Sequence, residues 1–72
     1  MSKEKLYKIV GENVKRFRKQ ETNLNQEGLA KIVNVSRSTI AALESSRCQG
    51  VSVYVLYKIA KVLGKDMDEF FI

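Results

Sequence analysis

From Asn25 to Ser46 the chain reads NQEGLAKIVNVSRSTIAALESS, and its apolar positions have the spacing of two short helices joined by a tight turn. Gln26 opens the first, with Leu29, Ala30 and Val33 as its inner stripe. Asn34-Val35-Ser36 turn the corner, and Ile40 and Leu43 form the inner stripe of the second. Asn25 is suited to cap the first helix, because its side-chain oxygen can accept an orphan backbone N–H, and Ser36 does the same for the second, which runs to about Ser45. Asn34 falls where the chain needs a left-handed residue.

The flanks supply further helices. Leu6, Val10, Val14 and Phe17 predict an amphipathic helix over about residues 3–20, with Lys3, Lys8, Lys15 and Lys19 outward and Thr22-Asn23 as its end. Arg47 to Ser52 reads as a loop, with Gly50 lending flexibility and Ser52 as the next N-cap. Val51, Val53 and Val55 alternate as a strand would, but Leu56, Ile59, Ala60 and Leu63 continue at helical spacing, so a helix over about 53–63 is preferred, stopped by Gly64. Asp66-Met67-Asp68-Glu69 has the form of a capping box for a short fifth helix carrying Met67, Phe70 and Phe71. Gly28, inside a helix, costs up to about 1 kcal/mol relative to Ala, so either a neighbour approaches closely or the position is tolerated. The fold class expected is all-α, a five-helix domain spanning residues 1–72.

Seventy-two residues lie near the lower limit for a core without disulfides or metal. The lone Cys48 has no internal partner, and the chain has no His, so neither a disulfide nor a zinc site is expected. A reducing cytoplasm is the expected location. MSKEKLYKIV lacks the features of a signal peptide, and no apolar run approaches membrane-spanning length. The formal net charge is +5, unevenly spread: residues 1–21 carry seven positive and three negative charges, residues 65–72 one positive and three negative. A polyanion is drawn to the first half and the middle, leaving the acidic end to face elsewhere. Without His, a carboxylate pair at a cleft or a Gly-rich phosphate loop, no enzyme, cofactor or small-molecule ligand is expected.

The two central helices form a helix-turn-helix. Its second helix presents Arg37, Ser38, Thr39 and Ala42 outward, a small, cationic and hydrogen-bonding surface that fits the major groove of double-stranded DNA. Arg37 can bond guanine O6 and N7 or clamp a phosphate. Ser38 and Thr39 can reach base edges, and Ala42 permits close approach. Gln26 and Asn25 can donate to phosphates, with Lys15 and Lys19 as weaker candidates.

Gln26, Leu29-Ala30, Val35-Ser36, Ile40, Leu43-Glu44 and the later Leu56, Ile59-Ala60 and Leu63 together resemble the Cro/phage-repressor type of helix-turn-helix family, over residues 9–71. VSVYVLYKIAKVL with the terminal Phe-Phe is similar to the controller proteins of restriction–modification systems within it. The resemblance implies a five-helix domain that binds operator DNA, commonly as a dimer. It also implies that Arg47 reaches phosphate and that Arg18 and Glu44 form a structural pair locking the reading helix to the first helix. Ser46 stands where such proteins often have Gly, the loop over 47–52 is longer than is common and lacks Pro, and Ala41 and Ala42 replace longer side chains.

The reading is a sequence-specific DNA-binding transcriptional regulator acting as a homodimer. The alternative is an antitoxin-like protein that chiefly binds a protein partner, and a membrane-surface protein is excluded by the second apolar pattern. Met67, Phe70, Phe71 and Ile72, with Tyr54 on the widened apolar arc of the fourth helix, are more apolar surface than so small a core can cover, and place the dimer interface at the carboxyl-terminal end. Cys48 as a redox switch is weighed against an incidental thiol, and the thiol is preferred.

Overall fold

The computed structural model describes residues 1–47 and 51–72 of the chain. Four α-helices follow one another, α1 Lys3–Glu21, α2 Gln26–Val33, α3 Arg37–Glu44 and α4 Val53–Leu63, and a 3₁₀ helix, Met67–Phe71, follows them. No strand is present among the described residues, and Val53 and Val55 lie in α4. The expected loop over Arg47 to Ser52, with Gly50 inside it and any role for Cys48, falls partly on residues 48–50, outside the described residues.

Each α-helix starts on a side-chain cap that takes the N–H three residues on, where the helix has no partner of its own. Ser2 Oγ accepts from Lys5 N at 3.2 Å, Asn25 Oδ1 from Gly28 N at 2.7 Å, Ser36 Oγ from Thr39 N at 3.2 Å and Ser52 Oγ from Val55 N at 3.1 Å. The last three α-helices end alike. Asn34, Ser46 and Gly64 are left-handed (φ 61°, 70° and 68°). The N–H after each returns to a carbonyl five residues back: Val35 to Ala30 at 3.0 Å, Arg47 to Ala42 at 2.8 Å and Lys65 to Ala60 at 3.0 Å. Of the three, Ser46 is the strained one, because its Cβ is disfavoured at that φ and a serine has less local compensation than asparagine.

α1 ends differently. Thr22 is extended, its hydroxyl donates to Arg18 O at 2.7 Å, and Leu24 N donates back to that hydroxyl at 3.0 Å, so a single threonine both stops the helix and shapes the turn towards α2.

The core draws on every element. Val10, Val14 and Phe17 of α1, Leu29, Ala30 and Val33 of α2, Ile40 and Leu43 of α3, and Ile59, Ala60 and Leu63 of α4 are buried around Phe70. At the α1–α3 crossing the backbones meet directly. A Cβ on Gly11 would overlap the Leu43 carbonyl oxygen and stand 3.1 Å from Ser46 N, so only glycine fits there. Gly28 is a milder case: a Cβ there would come 3.2 Å from Leu24 Cδ2 and 3.3 Å from the capping oxygen of Asn25.

Two expectations are corrected. The fifth element is a 3₁₀ turn, closed by Glu69 N on Asp66 O at 3.0 Å with Glu69 Oε2 accepting from Asp66 N at 2.8 Å. Asn13 holds the far end of this turn, its Nδ2 donating to Phe70 O at 2.9 Å with Glu69 O and Ile72 O each at 3.4 Å. That anchorage, with Phe70 fixed in the core, favours the tight winding used in short pieces. Phe70 itself is fully buried, 6.0 Å from the Phe17 ring centre, and is a core residue instead of an interface residue.

The α1–α3 crossing makes a test. Gly11→Ala is expected to lower stability by about 2 kcal/mol, since overlap with a backbone oxygen outweighs the gain in helix propensity. Ser46→Gly is expected to raise it by about 0.5 kcal/mol, the relief of the left-handed strain being partly offset by a freer unfolded chain. Thermal melts of both variants against the parent measure the two shifts, which should have opposite signs.

Candidate nucleic-acid interface

The first turn of α3 lies at the surface. Arg37 and Ser38 are exposed, and Thr39 and Ala42 are half-buried along the same helix. The Ser36 hydroxyl organises this turn, lying 3.0 Å from Ser38 Oγ and 2.9 Å from Thr39 Oγ1 while capping the Thr39 N–H. The two hydroxyl contacts use two of the three protons, which leaves one donor and several acceptor lone pairs in the cluster.

The start of α2 lies beside it. Asn25 commits its side-chain oxygen to the Gly28 N–H, which leaves the N–H groups of Gln26 and Glu27 as the ones the helix itself cannot satisfy. Arg18, Asn25, Gln26, Glu27 and Arg37 line a polar cleft of about 250 Å³ between the two helix starts. The free N–H groups and positive dipole end of α2 and the Arg37 side chain thus border one cleft, with Glu27 as the acidic residue of its lining.

Behind the cleft, Arg18 and Glu44 are nearly excluded from solvent, at 7% exposure each. Arg18 Nε donates to Glu44 Oε2 at 2.7 Å and Nη2 to Oε1 at 2.9 Å, a two-pronged pair, while Nη1 donates to Leu24 O at 3.0 Å. The hydrogen bond to Glu44 raises the Arg18 guanidinium further above its ordinary range, against burial, which lowers it, and the guanidinium is charged throughout. Gln26 Nε2 donates to the same Oε1 at 3.1 Å. One carboxylate thus joins helices α1, α2 and α3.

Lys15 and Lys19 are exposed on α1 and do not line the cleft. Arg47 is exposed just past α3 and lines a second cleft, of about 280 Å³, with Lys3, Glu4, Tyr7 and Ser46. At the other end Tyr54 is 66%, Phe71 40% and Ile72 87% exposed, whereas Met67 is half-buried. Sequence reasoning missed three participants. Gly11 and Asn13 were legible only as non-apolar residues on the inner side of α1, and the bond from Gln26 to Glu44 spans 18 residues with no local signal.

Comparison with known proteins places this geometry. The family model described as "Helix-turn-helix" matches residues 14–70. An HTH-type transcriptional regulator of Methanocaldococcus jannaschii is 44% identical over 50 residues, covering 69% of this chain and 74% of its own. The control protein C.MunI of a Mycoplasma species is 33% identical over 61 residues, covering 85% and 81%. Among solved structures, the restriction–modification controller protein C.AhdI from Aeromonas hydrophila superposes with a TM-score of 0.84 at 24% identity, covering 99% of this chain and all of its own. The same fold occurs in hydroxypropylphosphonic acid epoxidase from S. wedmorenis, with a TM-score of 0.82 at 24% identity, where the chain spans only 35% of that protein.

Because the Arg18–Glu44 pair is buried, removing either half leaves a charge without its partner. Arg18→Ala and Glu44→Ala are each expected to cost about 3–5 kcal/mol, and the double variant clearly less than their sum. Chemical denaturation of the three variants reads the coupling, and singles that unfold together with the parent would show the pair to be energetically idle.

Proposed function

The chain belongs to the helix-turn-helix family of DNA-binding transcriptional regulators, and on that premise we propose that it binds a roughly palindromic operator as a homodimer. The observation that carries this reading is the cleft in which Gln26 and Arg37 meet ahead of the exposed first turn of α3. In the proposed complex α3 enters the major groove. Arg37, Ser38, Thr39 and Ala42 face base edges, and Asn25, Gln26 and Arg47, with Lys15 and Lys19, hold the flanking phosphates. The protein acts in the cytoplasm by occupying its operator.

Dimerisation is supported by the apolar surface left open at the other end. Val53, Tyr54 and Tyr57 of α4 are 76%, 66% and 46% exposed, and Phe71 and Ile72 lie beyond them. A two-fold contact there sets two copies of α3 about 34 Å apart, one DNA turn, with Asp66, Asp68 and Glu69 away from the phosphates.

Two measurements test the reading. Arg37→Ala is expected to weaken operator binding by about 1–3 kcal/mol and to relax preference at one base pair in each half-site, while Arg47→Ala weakens all sequences alike. Mobility-shift titrations on cognate and random duplexes separate these effects, and absence of binding to any duplex at low salt refutes the assignment. Sedimentation at micromolar concentration is expected to give a dimer for the parent and a monomer for Phe71→Asp, Ile72→Asp. A monomeric parent, or an unchanged mass for the variant, removes the carboxyl-terminal interface.

A further inference from the structure

We propose that Glu44 is a positioning residue for DNA binding, whose carboxylate fixes the Gln26 side-chain amide in the orientation in which that amide meets a backbone phosphate. The inference rests on the DNA-binding reading above and extends it to a residue that never reaches the DNA: the Glu44 side chain is 2% exposed.

Gln26 is the first residue of α2 and lines the cleft shared with Arg37. A glutamine at such a place would ordinarily sample several rotamers and both faces of its amide. Here an ionised carboxylate only accepts hydrogen bonds, so the end of Gln26 that faces Glu44 is its NH₂ group. One amide hydrogen is thereby consumed and the nitrogen is pinned. The second hydrogen of the same nitrogen is left for an anionic oxygen in the cleft. Glu44 is in turn immobile, because Arg18 holds both of its oxygens and also fixes Leu24 O in the turn that leads to Asn25. The placement of the donor is therefore set before DNA arrives, and a side chain already held in its bound pose loses less freedom on binding.

A purely structural role for Glu44, pairing with Arg18 and nothing more, makes a different forecast, and a two-residue cycle separates the two. Glu44→Gln keeps an oxygen in place but removes the charge that dictates which end of Gln26 faces it, and it raises the net charge, an effect that by itself tightens binding to a polyanion. Positioning predicts the opposite for the parent background. Operator affinity falls about tenfold, the worth of one well-placed hydrogen bond, with the salt dependence unchanged because no cation has been lost. In a Gln26→Ala background the same substitution should produce no loss. Equal effects of Glu44→Gln in the two backgrounds overturn the inference while leaving the DNA reading intact, whereas a parent that binds no duplex at low salt refutes both.

Should Glu44→Gln fail to fold, the side-chain amide of Gln26 in the DNA-free parent decides. Pinning by Glu44 gives a nuclear magnetic resonance order parameter near the value of about 0.85 typical of rigid backbone and slow hydrogen exchange of one amide proton. A value below about 0.6 shows a mobile side chain and overturns the inference.

Discussion

Three of the four α-helices are held in register by a single buried carboxylate. Glu44 sits at the end of α3, takes two hydrogen bonds from Arg18 of α1 and one from Gln26 of α2, and has almost no access to water. Burying such a pair is expensive, and hydrophobic residues of equal volume often serve stability as well or better. What apolar packing does not provide is direction. The guanidinium and carboxylate meet edge to edge in one geometry, and the remaining guanidinium nitrogen reaches the Leu24 carbonyl, so the pair specifies a rotation of α3 and the course of the turn before α2 together. For a surface in which the ends of two different helices converge on one cleft, that specificity matters more than the net energy.

The helices that form the cleft, α2 and α3, have eight residues each and are too short to persist alone. Their ends are consequently where the chain concentrates its hydrogen bonding, with a capping side chain at each start and a left-handed residue at each finish. The chain accepts strain to obtain this. At the finish of α3, Ser46 adopts φ 70° directly against Gly11, and that close approach of backbones brings α1 near enough for Arg18 to reach Glu44. The missing side chain at Gly11 and the buried ion pair are two parts of one crossing.

Much of this was legible in the sequence because it is local. Caps at Asn25, Ser36 and Ser52, left-handed ends at Asn34 and Gly64, and the apolar stripes of all four α-helices follow from spacing and from the side chains of neighbouring residues. The strand-like alternation at Val51, Val53 and Val55 was outweighed for a physical reason: the later apolar residues of α4 bury Ile59, Ala60 and Leu63 only if the segment is helical. Non-local features were not legible. Asn13 donates to carbonyls at the far end of the chain, where the expected short fifth helix is a 3₁₀ turn, and Phe70, one of several apolar residues close together, is drawn fully inside while its neighbour Phe71 stays at the surface. Periodicity cannot distinguish two adjacent phenylalanines in a single turn.

Net charge is a poor count of the cations that remain for a polyanion. Arg18 is buried in its pair with Glu44. Arg16 bonds Asn13 Oδ1 at 2.8 Å and lies over the Phe17 ring, with Lys65 at 4.7 Å from the same ring and 3.6 Å from Glu21. Lys58 and Lys61 lie over Tyr54 and Tyr57, covering part of the exposed aromatic surface of α4 with their stems. These five cations are engaged with the protein's own side chains, while Arg37 near the cleft, Arg47 past α3, and Lys15 and Lys19 on α1 stand exposed. Counterion release follows phosphates neutralised, at about 0.9 per contact in the logarithmic salt slope, and not the formal charge of the chain. A neutral donor adds nothing to that slope, so the proposed contribution of the Gln26 amide rests on its orientation and not on charge.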